Sequence, residues 1–157
     1  MKMICQLLLA LLCFVLVKSV PSVREIDPKD IVVIQNITYY FSPTSETLLD
    51  SMLICTDVGM SLIGFDTETE YNDVQSHINS TGTMWRQYWT SGSKVGSDWV
   101  WSTTGLRTNF FDWEQGEPDE LGDSNQAYIY LYNTNMWDWS DTSSTMFFIC
   151  KRRPCTP

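Results

Sequence analysis

Between Trp113 and Asp141 the chain carries Glu114, Glu117, Asp119, Glu120, Asp123, Asp138 and Asp141 with no lysine or arginine among them. Any fold that closes this stretch concentrates carboxylate oxygens. A hard cation such as calcium takes that donor set, about six to eight oxygens in a flexible shell. An acidic loop can equally be plain solvated surface, so the weight falls on how the rest of the chain would position it. The same span holds Trp113, Trp137 and Trp139, whose rings could stack on the apolar face of a ligand.

The chain has 157 residues and a formal charge of −9. Met1-Lys2-Met3 followed by an apolar run from Ile4 to Val17 reads as a secretory signal peptide over residues 1–19, too short to span a bilayer. Without residues 1–19, which contain Lys2 and Lys18 and no acid, the formal charge becomes −11. That balance argues against nucleic acid and anionic membranes as partners, since neither finds a basic patch to meet it. About 138 residues remain, one domain's worth of core, expected in the extracellular space. Of five cysteines, Cys55, Cys150 and Cys155 stay, which in an oxidising compartment means one bridge and one leftover. Asn36-Ile37-Thr38 and Asn79-Ser80-Thr81 are sequons that would place both asparagines at the surface.

The elements around the acidic stretch follow from pattern. Residues 20–37 form an N-terminal arm, and the β-branched and aromatic run Ile31 to Phe41 suits one or two strands broken near Gln35-Asn36. Thr44 or Ser45 caps a helix to about Val58, with Leu48, Leu49, Met52, Leu53 and Cys55 or Thr56 at helical spacing and Gly59 as its stop. Ser61 to Phe65 is a short apolar strand. Thr67-Glu68-Thr69-Glu70 is a capping box opening a second helix, whose inward stripe is Tyr71, Val74 and Ile78. After Gly82 the helical patterns stop, and all seven tryptophans fall between Trp85 and Trp139. Candidate strands there are residues 87–90, 99–102, 127–132 and 146–151. Helices first and strands after is an α+β layout.

In that order the chain resembles the C-type lectin-like domain, over nearly all of residues 39–151. The resemblance is carried by Tyr39-Tyr40-Phe41, a first helix with Cys55, Ser61-Leu62-Ile63, Tyr88-Trp89-Thr90-Ser91-Gly92, Trp99-Val100-Trp101, Trp113-Glu114-Gln115-Gly116-Glu117-Pro118-Asp119 and Phe147-Phe148-Ile149-Cys150-Lys151. It implies an α+β domain over residues 38–152, two helices flanking short antiparallel sheets with a long structured loop region, and a tail at 153–157. It is similar in this to small secreted single-domain invertebrate lectins. It also implies a Cys55–Cys150 disulfide. Cys155 is then either a free or capped tail thiol or the bridge of a disulfide-linked homodimer. A second bridge common in the family is missing, since its positions hold Ala127 and Thr142. Compensation is expected from the buried faces of Trp113, Trp137 and Trp139, or from a bound ion.

The resemblance further implies that Glu117 and Asp119, turned to one point by a cis bond at Pro118, are calcium ligands and contact sugar hydroxyls. A third ligand falls at Asn125, with Asp123 as a substitute. The fourth is Asp141 or Asp138, and matching residue types prefers Asp141. Trp113 would stack on the sugar. Glu-Pro-Asp is neither of the family's two common sugar-specifying motifs. The expectation is a secreted, calcium-dependent lectin binding glycans or glycoproteins in innate recognition. The alternative is a calcium-independent module for a protein partner, suggested by Ala127, Thr142 and Asn125. An enzyme is not expected: His77, the one histidine, has no nucleophile motif beside it.

Overall fold

The computed structural model describes residues 26–119 and 126–152. The expected signal peptide, the tail with Cys155, and the ligand candidates Asp123 and Asn125 lie outside the described residues.

A short 3₁₀ turn, Pro28–Asp30, capped by the Asp27 side chain, leads into strands β1 (Ile31–Ile34) and β2 (Ile37–Phe41). They pair as an antiparallel hairpin with Ile34 opposite Ile37. Gln35 and Asn36 both have positive φ, 48° and 65°, the mirror-image turn whose twist matches that of the strands. Residues 31–37, assigned above to the arm, are therefore part of the sheet.

Helix α1 spans Leu48–Asp57 and is capped by Thr47, whose hydroxyl accepts from the Asp50 N–H. This places the cap two or three residues later than Thr44 or Ser45, because residue 46 is held by a β-bridge to Met146. The buried face is Leu48, Ser51, Ile54 and Cys55, while Leu49 and Leu53, expected to face inward, are exposed. The Cys55–Cys150 disulfide sets that rotation by tying one flank of α1 to the last strand. Gly59, at φ 70°, ends the helix in the left-handed region.

Strand β3 (Ser61–Leu62) precedes helix α2 (Glu68–Ser80), capped by Thr67 and buried through Tyr71, Val74 and Ile78. The capping box is only half formed. Thr67 Oγ1 accepts from the Glu70 N–H, but the Glu70 carboxylate accepts from the Asp66 N–H and from the Tyr39 hydroxyl (2.6 Å), and it pairs with Lys151 Nζ at 2.6 Å. The Lys151 side chain is 3 % exposed and also pairs with Asp66 at 2.8 Å. A charge buried that deeply needs such partners.

The remaining strands are β4 (Tyr88–Val95), β5 (Asp98–Trp101), β6 (Leu106–Arg107), β7 (Tyr128–Tyr132), β8 (Asn135–Trp139) and β9 (Phe147–Arg152). Among the described residues the sheet runs β1-β2-β9-β4-β5-β6, with β3 on β9 and β7 joining β4 to β8. The β4–β9 pairing is parallel and the others are antiparallel. β8 was not expected as a strand. β7 crosses β4 where Gly92 sits, and a Cβ there would lie 2.6 Å from Ile129 Cβ, so only glycine admits the contact. The two helices and mixed sheet make an α+β domain with one core around Tyr39, Tyr71, Trp101 and Ile129 and a second around Trp89, Phe148 and the disulfide.

Candidate metal and ligand site

The β7–β8 hairpin turns through Asn133 and Thr134, both at positive φ, and registers Ile129 against Asp138 and Tyr128 against Trp139. Along β8 the side chains alternate, so Met136 and Asp138 face inward and Trp139 outward. Asp138 is 2 % exposed. The chain before it, residues 112–117, is strapped along β8. Met136 N–H donates to Asp112 O (2.8 Å), Glu114 N–H donates to Met136 O (3.0 Å), and Trp113 bridges Met136 in parallel. A turn closed by Glu117 N–H to Glu114 O then delivers the cis Glu117-Pro118 bond beside Asp138.

Three carboxylates converge as a result. One oxygen each of Glu117, Asp119 and Asp138 lies within 4.8 Å of the others. Asp138 Oδ1 accepts from the Asp119 N–H at 3.0 Å, and the Asp138 N–H is 3.4 Å from Glu117 Oε2. Asp138 Oδ2 is buried and has no hydrogen-bond partner. Among the described residues no salt bridge reaches any of the three. Burial first, then the hydrogen bond to Asp138 and the charges of Asp119 and Asp138, push the Glu117 carboxyl up from 4.5 to about 7. A buried carboxylate oxygen that no N–H, hydroxyl or cationic side chain among the described residues reaches, in a cluster of three acids, is a donor set that fits a divalent cation.

The other expected site residues fall elsewhere. Asp141, preferred above as the fourth ligand, is not in the cluster: its carboxylate accepts from the Ser143 N–H and hydroxyl and from the Ser144 hydroxyl, which hold it below the usual carboxylate range. Asp138 takes the place beside Glu117 because strand alternation aims it inward. The Trp113 ring, named as a sugar platform, packs on Trp99 (5.2 Å) and lies parallel to Phe111 (5.5 Å, 10°), so it anchors the loop. That contact and the backbone strap fasten residues 112–114 to the body of the fold. Ala127, at one of its positions, is fully buried and its carbonyl accepts from the Lys94 N–H. Trp137 packs on Tyr130 and Tyr132, whereas Trp139 is 37 % exposed and donates to the Ser144 hydroxyl. His77 lies against the Phe41 ring (4.7 Å), and burial lowers its pKa. Asn36 and Asn79 are both exposed. Sequence reasoning missed Asp112, whose carboxylate accepts from the Tyr71 hydroxyl (2.9 Å) and ties α2 to the strapped loop.

Comparison with known proteins agrees with this architecture. No protein-family model matches the chain. It is 27 % identical over 120 residues to mouse CD209 antigen-like protein A, covering 75 % of this chain and 48 % of that one. It is 27 % identical over 109 residues to salivary C-type lectin 1 of Aedes albopictus, covering 62 % of this chain and 71 % of that one. The chain thus spans about half the length of the CD209-type relatives it matches. The carbohydrate-recognition domain of mouse scavenger receptor C-type lectin superposes with a TM-score of 0.66 at 23 % identity, covering 83 % of this chain and all of that one. The chain has the α+β fold of C-type lectin domains, and the curated proteins it resembles include a C-type lectin. Among the described residues no helix is long and apolar enough to cross a membrane.

Proposed function

We propose that this domain is an exported lectin that binds glycans through a calcium ion held by Glu117, Asp119 and Asp138. The observation that carries the reading is the convergence of Glu117, Asp119 and Asp138, one oxygen of each within 4.8 Å of the others, on an aspartate whose Oδ2 is buried and unpartnered. Calcium at these residues supplies a centre with spare coordination for a pair of sugar hydroxyls. The protein groups do the orienting. Asp138 Oδ1 is already engaged by the Asp119 backbone, so its second oxygen is the one left for an ion. Glu117 and Asp119 are acceptors only when ionised, so the hydroxyls they meet must donate. The Glu-Pro-Asp sequence therefore selects for hydroxyl donors at both positions, where a side-chain amide would also offer a hydrogen.

The relatives named as lectins and carbohydrate-recognition domains support glycan binding, and the salivary relative together with the basic-then-apolar start supports export. Glycans on the exposed Asn36 and Asn79 fit the same route. The test is a glycan array probed with and without chelator, using the wild-type chain and Glu117→Gln. Binding that chelator and the substitution both abolish is expected. Binding indifferent to both would overturn the calcium site.

A further inference from the structure

A second feature lies at the closed end of the β7–β8 hairpin, where Tyr132 pairs with Asn135 three residues before Asp138, about 10 Å of strand away from the carboxylates. A hollow of about 350 Å³ opens there, walled by residues just before β4 and at the start of β9. Its floor is a cation held by rings. The Arg86 guanidinium lies 4.3 Å over the Phe147 ring and 5.3 Å from the centroid of Trp85, and the two rings meet edge to face at 6.1 Å.

Three properties make this unlike an ordinary surface arginine. Among the described residues no carboxylate pairs with Arg86, in a chain with nearly two acids for each base. Its Nε is buried and has no acceptor among the described residues, and the guanidinium is held in place by the two rings. Trp85 is 65 % exposed beside it, a flat apolar shelf of large area presented to solvent. The rim adds the exposed polar residues Ser45, Gln87 and Thr145.

We infer that this hollow is a second ligand site, for a carboxylate-bearing sugar residue such as a sialic or uronic acid. The sugar carboxylate takes the Arg86 fork, the C–H face of its ring lies on Trp85, and its hydroxyls meet the neutral polar rim. A peptide carboxylate would satisfy the arginine but would leave the flat shelf and the hydroxyl-matching rim without a role. The site needs no metal, so it stands apart from the calcium reading. On a longer acidic glycan it would act as a subsite for a terminal acid.

The test is a titration of the wild-type protein in chelator with N-acetylneuraminic acid and with glucuronic acid, each against its neutral counterpart, N-acetylmannosamine or glucose. Tryptophan fluorescence and the indole N–H resonances are the readouts. Saturable, salt-sensitive shifts of the Trp85 resonance by the acids alone are expected. Arg86→Lys keeps the charge but loses the fork, and should weaken binding about tenfold, with Arg86→Gln weaker still. Glu117→Gln should leave this binding unchanged, and unaltered melting of the Arg86 variants shows that the loss is not misfolding. Equal response to acid and neutral sugars, no response at all, or a response only to acidic peptides tested in parallel, would each overturn the assignment.

Discussion

Glu117 is the residue on which the site's electrostatics turn. Its carboxyl is pushed up to about 7 by burial and by two neighbouring acids, whereas in the unfolded chain it titrates near 4.5. The folded state without calcium therefore holds the extra proton. That contribution to stability is complete below about pH 4.5 and is lost as pH rises through about 7. Melting in chelator should show wild type losing ground to Glu117→Gln across this window, and adding calcium should remove the difference. A gap between the two proteins that stays constant with pH would contradict the raised pKa of Glu117. The same scale explains what the sequence left open. Asp138 and Asp141 are indistinguishable as letters, and type matching favoured Asp141. What separates them is that Asp138 alternates inward with Met136, while Asp141 lies next to two serines that satisfy it locally.

At the scale of elements, the carboxylates depend on β8 staying in register with β7, and β7 is seated by Gly92. Gly92→Ala forces a methyl into Ile129, the residue paired with Asp138, and should cost about 1–3 kcal/mol by denaturant unfolding. A neutral result would mean that the crossing is looser than described. The helices, the β1–β2 hairpin and the strands with long apolar or aromatic runs were legible from periodicity and turn chemistry. β8 was not, because Asn135–Trp139 is a mixed pentapeptide whose strand character comes from pairing with β7 and from the strap of residues 112–114. The inward face of α1 was misread for a similar reason. Leucines at 49 and 53 satisfy the helical period, but the tie from Cys55 to β9 decides which flank is buried. The half-formed capping box follows the same logic, since Glu70 finds a better partner in buried Lys151 than in its own cap.

For the whole molecule, the Cys55–Cys150 bridge closes 95 residues, joining α1 to the central strand β9. Replacing both cysteines by alanine should cost about 2–5 kcal/mol in thermal or denaturant unfolding while leaving the secondary structure recognisable by circular dichroism. A loss well below that range would show that the Lys151 network and the paired cores already fix the two halves together. The acidic surface is part of the same picture. Three of the acids that set the charge of −9 are crowded together at Glu117, Asp119 and Asp138, and a bound cation would offset that crowding. Residues 112–117, with Ala127 and Thr142 at the positions where the sequence resemblance implies a second bridge, are fastened by Trp113 on Trp99 and by backbone bonds to β8.

The most direct test is calorimetric titration of calcium into the wild-type protein and into Asp138→Asn and Asp141→Asn. Saturable binding by wild type and by Asp141→Asn, with Asp138→Asn weakened about tenfold or more, is the predicted result. No calcium heat in the wild type, or loss on changing Asp141 and not Asp138, would contradict the site.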